Sequence, residues 1–204
     1  MLAGPAVSCA MTPLERAWGV VLGPEPATLA LRATDNSSGP LASLECLVTR
    51  ALRRPPCLVS FSGGRDSSTV LAVAAAVARS QGLPLPIPAT NRFPQVPATD
   101  ERAWQEQVIR HLALDDWVRL DHTDELDLIG PYARRVLDSH GVIWPINAHF
   151  HAPLAQAASG GSLLTGFGGD EVFSPGRWSR TALVARGRLR PRPGDARGAA
   201  AALA

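Results

Sequence analysis

A run of small and polar residues at positions 60–68 could bind phosphate. It reads Ser-Phe-Ser-Gly-Gly-Arg-Asp-Ser-Ser and lies between a short apolar segment and an Ala-rich segment. This order predicts a strand, a tight turn and a helix. Two consecutive glycines let the backbone approach a polyanion, and the helix N-terminus favours negative charge. Ser62, Ser67 and Ser68 add hydroxyl donors, so the segment predicts a phosphate-binding loop.

Asp66 is an acidic residue inside this loop. Its carboxylate would repel a bare phosphate, so its presence predicts a cation, Mg²⁺, between carboxylate and phosphates. The alternative is an ordinary turn in which Gly63 and Gly64 allow the reversal and Asp66 or Ser67 caps the helix. A Walker loop is excluded, because the GxxxxGK[ST] pattern is missing and the chain contains no Lys.

A second glycine-rich segment, Leu-Thr-Gly-Phe-Gly-Gly-Asp-Glu-Val-Phe, occupies positions 164–173 after another short apolar stretch. Its glycines permit close backbone approach, and Asp170 and Glu171 provide two carboxylates. Open α/β sheets bind ligands at the carboxyl ends of their strands. We therefore expect Asp170 to share a magnesium ion with Asp66. A glycine-rich turn with exposed acids is the alternative.

The two motifs, in this order, resemble the SGGxDS and TGxGxDE signatures of the synthetase domain of the asparagine synthetase family. The resemblance covers roughly residues 41–180. It implies an α/β, doubly wound parallel sheet of the HUP-like, adenine nucleotide α-hydrolase type, with flanking helices. It also implies ATP and Mg²⁺ as cofactors. By this resemblance the phosphates are held by Ser60, Ser62, Gly63, Gly64, Ser67 and Ser68, the adenosine is flanked by the backbone near Thr90 and at Thr165 and Gly166, and Mg²⁺ is bound by Asp66 and Asp170.

The reaction implied by the resemblance is the ATP-dependent formation of an amide. A substrate carboxylate attacks the α-phosphate of ATP, pyrophosphate leaves, and ammonia or an amine then displaces AMP. The expected partners are a small-molecule or peptide carboxylate and an amine or ammonia donor. Asparagine biosynthesis and lasso-type macrolactam formation are the two expected settings.

Three departures from the family pattern bear on activity. Phe167 stands where asparagine synthetases usually carry Glu, which disfavours asparagine as the product. Residue 2 is Leu where the family has a glutamine-hydrolysing Cys, so ammonia would be free or come from a separate amidotransferase. The family's lysine is absent, and the catalytic residues stay unassigned. The alternative reading is a truncated, non-catalytic nucleotide-binding remnant, or one half of a split enzyme completed by a C-terminal-half chain.

The elements that must position these loops follow from the hydrophobic pattern. Helices are predicted at 41–54, 69–79, 100–112, 126–139 and 149–158, and strands at 57–61, 85–90, 116–120 and 162–165. Their alternation predicts the doubly wound α/β class. An irregular leader at 1–40, with a short helix around 14–20, would precede the domain at 41–180. A low-complexity, disordered tail would follow at 181–204.

Composition excludes several classes of function. The net charge of +2 is uneven, since residues 1–176 carry 13 Arg and 17 acidic residues, so the basic excess lies in the tail. No nucleic-acid partner is therefore expected. No apolar run approaches the ~20 residues of a membrane helix. The three cysteines form no CxxC pair and predict neither a zinc site nor a disulfide framework, which favours a cytoplasmic protein.

Other polar and aromatic residues have simpler interpretations. Asp100 and Glu101 are expected to cap a helix. His122 is assigned to a solvated acidic loop, and His149 and His151 to a loop rather than a metal site. The tryptophans Trp104, Trp117 and Trp144 are expected to pack in the core or at its rim.

Overall fold

The computed structural model describes residues 11–18, 39–143, 145, 147–169, 184, 187 and 190–192. Its described helices are α1 (Pro13–Trp18), α2 (Gly39–Leu52), α3 (Arg65–Gln81), α4 (Arg102–His111), α5 (Pro131–His140) and α6 (Ala152–Ala157), with short 3₁₀ turns at Pro97–Thr99 and Ala148–His151. The strands are β1 (Cys57–Ser60), β2 (Ile87–Arg92), β3 (Val118–Asp121) and β4 (Ser162–Leu164). The chain divides into two compact units, Met1–Thr165 and Gly166–Ala204. All four strands belong to the first unit.

The four strands form one sheet in the order β3-β2-β1-β4. Every neighbouring pair is parallel, with Ser60 opposite Ala89 and Val59 opposite Leu164. The chain winds from β1 to β3 in one direction and then returns to the other side of β1. The carboxyl end of β1 therefore lies at the point where the winding reverses, which is where open α/β sheets form a ligand crevice.

Helices cover both faces of this sheet. On one face Val59 and Phe61 pack with Val48 of α2 and Leu71 of α3. On the other face Leu58 packs with Ala89 and with Leu154 and Ala158, contributed by α6 and the residue that follows it. The predicted doubly wound α/β class is confirmed. Burial raises the pKa of the Cys57 thiol to about 11, so this cysteine is a core residue and not a nucleophile.

Strand β2 contains a proline at a position where prolines are rare. It begins at Ile87 and ends at Arg92, two residues later at each end than predicted. The Ala89 carbonyl accepts from the Phe61 N–H at 2.8 Å, so the backbone polar groups of Ala89 point towards β1. The backbone carbonyl of the neighbouring Pro88 therefore points towards the β3 side. Because β3 begins opposite Ala89, the missing N–H of Pro88 removes no ladder hydrogen bond.

Three predicted helices have different bounds in the structure. Helix α3 begins at Arg65, four residues earlier than expected, and so includes the end of the first motif. Helix α5 begins at Pro131 instead of 126, because turns such as Asp127 N–H to Asp124 O occupy the preceding residues. The helix expected at 149–158 is divided into a 3₁₀ turn and α6. None of the described helices is long and apolar enough to cross a membrane.

The predicted domain boundaries are not tested by the structure. Helix α1 lies within the segment assigned to the leader, and most of that segment is outside the described residues. Most of the tail at 181–204 is outside them too. The leader, the domain at 41–180 and the disordered tail therefore stay predictions.

Candidate functional site

The first motif forms the turn between β1 and α3, which we call the β1–α3 loop (residues 61–64). Gly64 is the N-cap of α3 with φ −66° and ψ 165°, and no side chain caps the helix. The capping alternative for Asp66 or Ser67 is therefore wrong. Ser68 N–H is the first to bond back, to Gly64 O at 3.0 Å. Among the described residues nothing accepts from the N–H groups of 65–67, so this helix end can receive an anion.

Serine hydroxyls hold the β1–α3 loop in shape. Ser67 Oγ donates to Gly64 O at 3.1 Å and accepts from Ser62 N–H at 3.3 Å. Ser62 Oγ accepts from Gly64 N–H at 3.3 Å, and Ser68 Oγ donates to Gly63 O at 3.3 Å. Ser67 is buried whereas Ser62 is exposed. Ser67 therefore shapes the loop from inside, and Ser62 has the more accessible hydroxyl for a ligand.

Helix α4 donates two side-chain hydrogen bonds to the β1–α3 loop. Trp104 Nε1–H donates to Gly63 O at 2.8 Å, and Gln105 Nε2–H donates to Ser62 O at 2.9 Å. Gly63 has φ +89°, and a Cβ placed there would lie 3.0 Å from Gln105 Cγ and 3.3 Å from Glu101 Oε2. Only glycine fits this conformation and this space. The sequence predicts only packing for Trp104, because no local signal indicates its contact with the loop.

The residues just before α4 have separate roles. Asp100 Oδ1 accepts from the Arg102 N–H at 3.0 Å, although the N-cap position of α4 is Glu101 and not Asp100. This backbone hydrogen bond holds the pKa of Asp100 below its ordinary value. Glu101, which was also assigned to capping, has no side-chain capping bond and lies beside Gly63. It is therefore the carboxylate that faces the site from α4.

Thr90, near the carboxyl end of β2, joins three elements. Its side chain is 4% exposed. The hydroxyl donates to Phe61 O at 2.7 Å and accepts from Trp117 Nε1–H at 3.0 Å. The side chain of Thr90 is thus committed to holding β1, β2 and the entry to β3 together. The role predicted by resemblance, with the backbone near Thr90 beside adenosine, stays a prediction.

A cleft of about 520 Å³, open to solvent, lies at the carboxyl ends of β1 and β2. That volume suits a small-molecule ligand. A smaller cavity of about 290 Å³ adjoins this cleft, and the residues that line both include Thr90, Asn91 and Glu101. The cleft is lined by Ser60, Phe61, Ser62, Gly64, Ala89, Thr90, Asn91, Phe93, Ala98, Thr99, Glu101, Gln105, Phe150 and Leu154.

A partly buried chain of hydrogen bonds supports the wall of the cleft. Asn91 Nδ2–H donates to Phe150 O at 2.8 Å, which leaves Asn91 Oδ1 to accept from His122 Nε2–H at 3.0 Å. His122 is 7% exposed, so its assignment to a solvated loop is wrong. Burial lowers the pKa of His122, and the charges of Glu125 and Asp121 oppose this shift only in part.

This buried histidine predicts loss of stability on the acid side of neutrality. An unfolded His122 has its ordinary pKa of 6.5 and the folded one a lower pKa, so the unfolded state binds more protons as the pH falls. Stability should be complete above about pH 6.5 and decline towards pH 5; burial of His151 acts in the same direction. Chemical denaturation from pH 7.5 to 5 measures this. His122→Gln, whose amide can still donate to Asn91, should reduce the decline.

The control for this measurement is His140→Gln, which replaces an exposed histidine at the end of α5. It should leave the decline as steep as in the unmodified protein. An equal decline in His122→Gln would show that the buried ring does not govern the acid-side stability.

The remaining predicted ligands are placed unevenly by the structure. Asp66 lies in the first turn of α3, partly exposed, and is not among the residues that line the cleft. Thr165 follows β4, so it leaves the sheet at the same edge as Ser60. Gly166 belongs to the second unit, in which Gly169 N–H donates to Gly166 O at 3.2 Å.

Asp170 lies outside the described residues. Within the part that is described, no three His, Cys, Asp or Glu side chains are grouped as a metal site would require. The magnesium ion expected between Asp66 and Asp170 therefore stays a prediction.

Comparison with known families identifies the chain. A model of the asparagine synthase family matches residues 43–203, which is more than half of the chain. The chain belongs to the asparagine synthase family. This confirms the family indicated by the two glycine-rich motifs. Asparagine synthases form a ligase-type enzyme family whose members use ATP.

Comparisons with solved structures and with curated protein sequences provide less information about the chain. Among solved structures, the chain is similar to an NAD⁺ synthetase from Burkholderia pseudomallei, with 19% identity and a TM-score of 0.37. The match covers 60% of this chain and 50% of that structure, so the chain spans about half of its length. No curated protein sequence matches the chain.

Proposed function

We propose that the chain binds ATP in the cleft and forms the nucleotide-binding part of an AMP-forming amide ligase. The observation that carries the proposal is the uncapped N-terminus of α3, which begins at Arg65 directly after the β1–α3 loop. Within the described part of the chain nothing accepts from the backbone N–H groups of residues 65–67, and Ser62 and Gly64 line the cleft. A polyphosphate chain is the anion that such a helix end and loop suit best.

The residues present also suit Mg²⁺ bound to ATP. Proteins commonly hold Mg²⁺ with one or two carboxylates, and phosphate oxygens and water supply the other ligands. Asp66, in the first turn of α3, provides one carboxylate, and Asp170 is the proposed second. When bound, the ion would neutralise charge on the phosphates. The chain's own contribution is to position the triphosphate and to hold the loop rigid.

The acceptor chemistry follows from the family. We propose that a small-molecule or peptide carboxylate is adenylated with release of pyrophosphate, and that ammonia or an amine then forms the amide. Phe167 cannot act as a base or orient an amine, which favours carboxylates other than aspartate. An amidotransferase or a C-terminal-half chain is the proposed partner, in the cytoplasm.

The direct test has two stages. Calorimetry with MgATP should show binding, and isotope exchange between ATP and pyrophosphate should appear when a suitable carboxylate is added. Absence of MgATP binding at millimolar concentrations would overturn the proposal. Binding without exchange, unchanged by any added partner chain, would favour the nucleotide-binding remnant.

Asp66→Asn tests the metal assignment. Loss of the carboxylate should weaken MgATP binding about tenfold, equivalent to about 1.4 kcal/mol. Binding of ATP without Mg²⁺ should be unchanged or stronger, because a negative charge near the phosphates is removed. Calorimetry with and without Mg²⁺ separates the two effects.

Asp138→Asn is the matched control, since Asp138 is exposed on α5. It should alter neither titration. If Asp66→Asn binds MgATP as tightly as this control does, Asp66 is not a ligand of the metal.

A further inference from the structure

We propose that Trp104 and Gln105 are positioning residues that fix the two peptide planes around Gly63, so that the Gly63 N–H faces the bound phosphates. This inference rests on the proposed nucleotide binding. It concerns α4, an element outside both glycine-rich motifs. The two side chains are consecutive, and they hold two consecutive carbonyl groups of the loop, at 2.8 Å to Gly63 O and 2.9 Å to Ser62 O.

Peptide geometry connects these bonds to the ligand side of the loop. A carbonyl and the N–H that follows it share one rigid plane and point in opposite directions. When Gln105 holds the Ser62 carbonyl, the Gly63 N–H points away from α4. Trp104, together with Ser68 Oγ, holds the Gly63 carbonyl, and the Gly64 N–H on the opposite side of that plane donates to Ser62 Oγ. Both carbonyl dipoles, which would repel phosphate, are thereby kept on the α4 side of the loop.

Gly63 explains why the loop needs this external support. Its φ of +89° lies in a region that glycine populates freely alongside several others. The peptide planes on its two sides would otherwise rotate at small energetic cost. Fixing both planes reduces the conformational freedom that the loop would lose on binding, and such preorganisation favours affinity.

The exposed fractions of the two side chains support a role for each hydrogen bond. Gln105 is 6% exposed, and a buried amide requires a partner. Trp104 is 56% exposed, so packing alone does not account for an indole at this position. The hydrogen bond from Trp104 Nε1–H to Gly63 O accounts for the indole at this position. Gln107, two residues beyond Gln105 on the same helix, is exposed, and its side chain makes no hydrogen bond within the described part of the chain.

The experiment exchanges the Gln105 amide for a carboxylate. In Gln105→Glu the ionised side chain cannot donate to Ser62 O, and we expect MgATP affinity at pH 8 to fall at least tenfold. Lowering the pH should restore affinity, because a protonated carboxyl group donates again. Burial raises the pKa of such a group above the ordinary value of about 4.3, so recovery should occur within the measurable range.

Two matched variants complete the test. Gln107→Glu makes the same chemical change at an exposed position of α4 and should show neither the loss nor the pH-dependent recovery. Trp104→Phe keeps an aromatic ring and removes the N–H, and it should weaken MgATP binding several-fold at every pH with little change in thermal stability. If Gln105→Glu does not fold, Trp104→Phe decides the question.

The outcomes separate the two proposals. If the unmodified protein does not bind MgATP, the proposed function fails and this inference falls with it. If the unmodified protein binds and both α4 variants bind equally well at all pH values, the positioning role alone is overturned. Weakened binding in Gln105→Glu without recovery at low pH would also count against it, since a merely structural disturbance predicts that result.

Discussion

Replacing Gly63 with Ala should abolish MgATP binding at concentrations that saturate the unmodified protein. The added Cβ would lie 3.0 Å from Gln105 Cγ and 3.3 Å from Trp104 Cδ1, at a residue with φ +89°. The unfavourable backbone conformation costs roughly 1–2 kcal/mol, and displacement of packed side chains about 1–3 kcal/mol. Because the loop must move away from α4, its N–H groups lose their orientation. Calorimetry and thermal denaturation of the same samples measure both effects.

Gly82→Ala is the control that separates backbone strain from contact with α4. Gly82 ends α3 with φ +62°, and a Cβ there would meet nothing within 4 Å. This variant should lose stability through strain alone and bind MgATP normally. Equal MgATP binding by the two variants would contradict the close packing described for Gly63.

Thr90→Val should produce the largest loss of stability among single isosteric changes near the cleft. Valine keeps the volume but leaves two polar groups, Phe61 O and Trp117 Nε1–H, without the hydroxyl that pairs them. Each unpaired buried group costs about 1–3 kcal/mol. We expect unfolding free energy to fall by about 2–4 kcal/mol, equivalent to a melting temperature lower by roughly 5–15 °C.

The matched control is Thr69→Val, which makes the same change on the exposed side of α3. Thr69 Oγ1 donates only to Arg65 O within its own helix, at 2.8 Å. Its replacement should change the unfolding free energy by less than about 0.5 kcal/mol. A similarly small effect for Thr90→Val would show that Phe61 O and Trp117 find other partners.

Much of the fold could be predicted because local pattern and burial agree. The apolar segment at 57–61 becomes a strand buried on both faces, and the alternation of strands and helices leads to the parallel sheet. The β1–α3 loop was also predictable, since two glycines between a strand and a helix have few other uses. The start of α3 was placed too late because polar Arg65–Ser68 have no apolar period, although the first turn of a helix needs none.

The part that could not be predicted consists of contacts between distant segments. Nothing in the local sequence indicates that Trp104 and Gln105 meet Ser62 and Gly63, because that contact depends on how α4 packs after a proline-containing loop. His122 is flanked by acidic residues, which suggested a solvated loop. His122 bonds to Asn91, and its ring contacts those of Phe93 and Tyr132, so its environment comes from other segments of the chain.

The pairing of β1 with β4 has a consequence for the order of folding during synthesis. β1 can join β2 and β3 as soon as these nearby segments leave the ribosome, but its other neighbour arrives only when Ser162–Leu164 emerges. Until then the edge of β1 is exposed, and an open strand edge invites unwanted association. Emergence of residue 164 from the ribosome therefore sets the earliest moment at which β1 has a neighbouring strand on each side.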